Sequence, residues 1–108
     1  MSPLTNMNKK LGILLSTSPD NKNLGIVTGL IQAAIKGSVS VYLYLIDDGV
    51  ECIHDKRLLE LSKKGLKLYV CAYGAQKKGI SPSEVATFGG LAVLSELANV
   101  CDRFVAFG

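Results

Sequence analysis

The residues best placed for chemistry lie in Leu66–Ile80, LKLYVCAYGAQKKGI. An apolar run ends in Cys71, turns through Ala72-Tyr73-Gly74-Ala75 and meets the paired lysines Lys77 and Lys78. If that run is a buried parallel strand, Cys71 sits at its carboxyl end, where α/β proteins bind and transform ligands. A free thiol ionises near ~8.5, and only the thiolate is a good nucleophile. Backbone N–H groups of a following helical turn, and the Lys77 and Lys78 ammoniums, would favour the anion. A strand cysteine also serves simply as a small hydrophobe. Spacing alone leaves both readings open.

The other reactive types carry less. Cys101 joins an apolar helix to a strand and reads as packing. Cys52 lies in the loop after the second strand, either as a plain loop cysteine or exposed enough to pair with a partner's thiol. His54 is the single histidine and reads as a solvent-facing residue before a helix, although a nearby thiol would give it a base's role. With three cysteines, one histidine and no CxxC, neither a zinc site nor a disulfide framework is expected. Asp47-Asp48 suits a magnesium site, but Asp-Gly is turn chemistry. GxGxxG, GxxxxGK[ST] and GxSxG are all absent.

These residues need a scaffold. Residues 1–9 read as a polar lead-in and 10–108 as one domain. Lys10–Thr17 is a short apolar strand. Asn21–Lys36 is a helix with Val27, Leu30, Ile31, Ala34 and Ile35 on one stripe and the small residues Gly25, Gly29 and Ala33 behind. Val39–Ile46 is apolar throughout, as in strands covered on both faces. Asp55 caps a helix over Lys56–Lys64, Leu66–Ala72 is the third strand, Thr87–Val100 an all-round apolar helix, and Asp102–Phe107 a final strand. The alternation predicts a three-layer α/β/α fold with a mostly parallel, four- to five-stranded, flavodoxin-like sheet. A strand order of 2-1-3-4 would put the switch point between the first and third strands. Thr17 and Ser18 would then line one crevice with Cys71.

At 108 residues and 48% apolar, the chain can bury a real core. Its 19% charged residues fall below the usual share of about a quarter. That deficit, and the apolar last helix, suggest cover from other subunits. The net charge of +3 comes from scattered lysines rather than a basic stripe, which argues against direct nucleic-acid binding. No signal core or ~20-residue membrane span is visible, so the expected location is the cytoplasm, where thiols stay reduced.

Three stretches carry a resemblance. They are Leu45-Ile46-Asp47-Asp48-Gly49-Val50, the run from Cys71 through Lys77-Lys78-Gly79 to Ile80, and Asp102-Arg103-Phe104-Val105-Ala106-Phe107. In this order they resemble the DsrE/DsrF-like family, with its DsrE- and TusD-like sulfur carriers and YchN-like members. The resemblance implies a small α/β fold, assemblies built on trimers and hexamers, and in the carriers a persulfide on the cysteine matched by Cys71. Tyr73 and Gly74 stand where the carriers tend to have alanines, and Lys77-Lys78 replaces an arginine-rich pair, so the shape of the site is this chain's own. The expectation is a cytoplasmic sulfur relay, homotrimeric or homohexameric, with protein donors and acceptors of sulfur. Cys71 would be the reactive thiol; Thr17, Ser18, Tyr73, Gly74, Lys77 and Lys78 would surround it, with no metal or organic cofactor. The alternatives are a non-catalytic oligomeric interaction protein and a small-ligand or nucleotide module of the same fold.

Overall fold

Apolar, β-branched and aromatic runs become strands, and the segments between them helices. The computed structural model describes residues 9–108, so most of the polar lead-in lies outside the described residues. The strands are β1 (Lys10–Leu15), β2 (Ser40–Leu45), β3 (Lys67–Cys71), β4 (Thr87–Gly89) and β5 (Arg103–Phe107). The helices are α1 (Asn23–Lys36), α2 (Lys56–Lys63), α3 (Ala72–Lys77) and α4 (Leu91–Val100), and a 3₁₀ segment spans Asp47–His54.

All neighbouring strands are parallel, in the order β4-β3-β2-β1-β5. This corrects the expected 2-1-3-4 order. The first three crossovers step the same way along the sheet. Only the last returns, placing β5 beside β1, so the direction reverses between β1 and β5 and not beside β3. Right-handed crossovers then put α1 and α2 on one face and α4 on the other. Accordingly α1 packs on β1, β2 and α2, while α4 packs on β1 and β4.

Register assigns the side chains. On the α1/α2 face lie Ile13, Leu15, Val41, Leu43, Leu45, Leu68 and Val70, all buried. On the α4 face lie Gly12, Leu14, Tyr42, Tyr44, Tyr69, Phe104 and Cys71. Of these, Leu14, Tyr42, Tyr69 and Phe104 are only half-buried. Two helices cover the centre of the first face, where Leu11 and Phe107 are half-buried and Val105 at the β5 edge is exposed; among the described residues one ten-residue helix covers part of the second.

Two elements differ from expectation. Thr87–Gly89 is an edge strand and not the start of the last helix, which begins after Gly90. In α1 the buried stripe is Leu24, Val27, Thr28 and Ile31, whereas Leu30 is exposed. The Asp55 cap forms as expected, its carboxylate accepting the Arg57 N–H at 2.9 Å.

Candidate functional site

Cys71 ends β3 and begins α3. Its backbone is still extended (φ −62°, ψ 115°), and its Sγ accepts the Gly74 N–H at 3.4 Å. The thiol is therefore the cap of the turn that follows it. It is 6% exposed and opens into a cleft of about 610 Å³ on the carboxyl side of the sheet. Three walls meet there: Ile46, Asp47 and Asp48 beyond β2; Tyr73, Gly74 and Lys77 on α3 with Lys78 just past its end; and Gly90 and Leu91 at the start of α4.

The walls are fitted closely. A Cβ on Gly74 would lie 3.2 Å from a Val50 methyl, so a glycine lets α3 approach the 3₁₀ segment. Lys78 fastens the same junction, its ammonium 2.6 Å from Asp48 and 3.7 Å from Glu51. The Asp48 hydrogen bond, ahead of the other carboxylate attraction, raises the Lys78 pKa above its ordinary value. Lys77 has no carboxylate at ion-pair distance among the described residues. Its ammonium lies 5.2 Å from the centre of the Tyr73 ring, a cation–π geometry. Lys77 thus keeps its positive charge at the cleft wall, while that of Lys78 is spent on the 3₁₀ segment. Tyr73 and Leu91, each 68% exposed, give the mouth an apolar rim.

Thr17 and Ser18 are elsewhere, because β2 lies between β1 and β3. The Thr17 hydroxyl accepts from the Asn23 amide at 3.3 Å, and the Ser18 hydroxyl donates to the Asp20 carboxylate. Neither lines the Cys71 cleft. Cys52 is fully buried, against the expectation of a loop thiol, and donates to the Thr17 carbonyl at 3.7 Å. Burial, then the charges of Asp55 and Glu51, push its pKa up to about 11. Cys101 is half-buried, and burial chiefly raises its pKa as well. His54 is exposed.

The sequence reading missed Tyr44. The side chain is fully buried on the face that carries Cys71, and its hydroxyl donates to the carbonyls of Gly89 at 2.9 Å and Gly90 at 3.2 Å. The signal was present: in Val41–Leu45 the two tyrosines alternate with aliphatics, so polar-tipped rings share one face.

A small, all-parallel α/β protein with a thiol where β3 turns into a short helix is the class that this fold and site define. The chain belongs to the DsrE/DsrF-like family, whose model matches residues 9–107. Its fold is that of the ychN protein from E. coli (TM-score 0.79, 16% identity, 93% of this chain and 99% of that one). It is equally that of BT1422 from Bacteroides thetaiotaomicron, a conserved protein of unknown function (TM-score 0.76, 16% identity, 94% and 97% covered). No curated protein matches the sequence.

Proposed function

We propose that this protein is a sulfur relay that carries sulfane sulfur as a persulfide on Cys71. Family membership supports the relay role in general terms. The observation that ties it to this residue is the placement of the Cys71 sulfur, held by the Gly74 N–H and opening into a cleft walled by Lys77. The Cys71 thiolate attacks the outer sulfur of a donor R–S–SH. The S–S bond of the donor breaks, R–S⁻ leaves, and Cys71–S–SH forms. An acceptor thiolate then attacks that outer sulfur and returns Cys71 as the thiolate. Each step is thiol exchange at sulfur and needs no outside oxidant. Lys77 offsets negative charge as it passes between donor, carrier and acceptor. The apolar rim of Tyr73 and Leu91 suits contact with protein partners that bring and remove the sulfur, and copies of the chain assemble over the thinly covered α4 face. The compartment in this reading is the cytoplasm.

Intact mass tests it. Reduced protein treated with polysulfide, or with thiosulfate and a sulfurtransferase, should gain about 32 Da per sulfur. The adduct should vanish in Cys71→Ser and persist in Cys52→Ser and Cys101→Ser. No adduct, or one that survives Cys71→Ser, refutes the carrier role and leaves a non-catalytic interaction protein or a ligand-binding module.

A further inference from the structure

Tyr44 reaches across the sheet to the far side of Cys71. It stands on β2 opposite Tyr69, two residues before Cys71 on β3, and Cys71 is paired in turn with Gly89 on β4. Its hydroxyl ends at the Gly89 and Gly90 carbonyls, so the ring spans β3 on the face that holds the thiol. The Gly90 carbonyl is also bound by the Val93 and Leu94 N–H groups of α4. One tyrosine proton is therefore shared by two acceptors, one of which has other donors.

We propose that Tyr44 is a positioning residue whose hydroxyl swings from the Gly89–Gly90 turn to the Cys71 sulfur when that sulfur ionises. The proposal rests on the reading of Cys71 as the working thiol. A hydroxyl bound to a thiolate is stronger than one bound to a neutral carbonyl, so ionisation of the thiol draws the proton of Tyr44 toward it. Burial, and next the neighbouring Cys71, raise the Tyr44 pKa from 10.0 to about 12, so the phenol remains a donor while a thiol titrates. The other titratable or charged groups around the thiol are Asp47 and Asp48 from the 3₁₀ segment, Tyr73 and Lys77 from α3, and Lys78 just past the end of α3. The α4 wall contributes only Gly90 and Leu91. Tyr44 is the buried member of this set.

The test is the pH profile of iodoacetamide alkylation at Cys71, read by peptide mass on wild type and Tyr44→Phe. The variant should raise the midpoint by about one unit, with tenfold less thiolate at neutral pH and the same plateau rate at high pH. An unmoved midpoint, or faster alkylation at every pH as a loosened turn would give, overturns the proposal. If Tyr44→Phe does not fold, wild-type amide NMR decides. The Gly90 and Leu91 signals should titrate with the Cys71 midpoint and cease to do so in Cys71→Ser; signals flat through that midpoint overturn it. Failure of sulfur loading with the alkylation shift intact would refute the relay and leave the Tyr44–Cys71 coupling standing.

Discussion

Two buried cysteines of one chain have opposite surroundings. Cys71 receives an N–H, whereas Cys52 gives its proton to a carbonyl and lies near two carboxylates. Sequence distinguished them only by their strand and loop positions. The burial of Cys52 depends on how the 3₁₀ segment packs past the carboxyl end of β1, against the Thr17 carbonyl, which no local pattern encodes. The raised Cys52 value has a consequence for stability. An unfolded thiol ionises at ~8.5–9, and burial pushes this one up to about 11, so between those values the folded chain holds a proton that the unfolded chain has released. Stability is therefore full below pH 9 and falls as pH rises toward 11, by on the order of 2 kcal/mol. Tyr44 extends the fall from 10.0 toward about 12 in the same direction. Urea midpoints across pH 8–11 should show the decline, and Cys52→Ala should flatten its lower part. An equal slope in the variant would assign the loss to other groups.

At the scale of elements, periodicity located β1, β2, β3, β5, α1 and α2 to within a residue or two. It failed at β4, because three residues are too few for an alternation to register; the clue available was the Gly89-Gly90 break. Tight joints were also invisible, since a glycine in sequence does not say what it touches. Gly49 and Gly29 make the contrast. A Cβ on Gly49 would collide with the Leu15 carbonyl, which is backbone and cannot rotate away, whereas one on Gly29, in the middle of α1, meets nothing within 4 Å. Gly49→Ala should therefore destabilise by about 1–3 kcal/mol. Gly29→Ala should stabilise by about 0.5–1 kcal/mol through helix propensity. Paired urea denaturation measures both. A loss at Gly29 would mean that another chain packs against the small-residue row of α1.

The whole molecule is lopsided, and strand order is why. Three steps in one direction stack α1 and α2 on a single face, and the one return places α4, alone among the described residues, on the other. The parallel sheet was legible from alternating elements, but its order was not, because order follows from which crossover returns, a matter of packing between distant segments. The expected crevice of Thr17 with Cys71 failed for that reason, while Cys71 kept its place at a strand's carboxyl end. The apolar character read in the last helix has a counterpart here: Leu97 is buried, but Leu91 and Val100 are exposed, and on the sheet face that α4 covers Leu14, Tyr42, Tyr69 and Phe104 are only half-buried.

Assembly over this face is the proposal that the asymmetry supports. Parallel sheets are ordinarily covered on both faces, and exposed apolar area of this kind marks contact surfaces. In solution at micromolar concentration, light scattering should give about three or six times the mass of the single chain, the values of a closed ring or its dimer. Leu91→Glu combined with Val100→Glu should reduce that mass toward the monomer. Ile26→Glu, on the exposed side of α1, should leave it unchanged. A monomeric wild type ends the proposal, and dissociation by Ile26→Glu alone would move the interface to α1. Because Leu91 also lines the Cys71 cleft, a copy seated on α4 would narrow the mouth of the cleft. A neutral pair, Leu91→Gln with Val100→Gln, opens the same face without placing a charge beside the thiol and should then alkylate faster at Cys71 at every pH, with its midpoint unshifted. That pattern is the opposite of the one expected for Tyr44→Phe, so a single pH series separates the effect of assembly from that of the tyrosine.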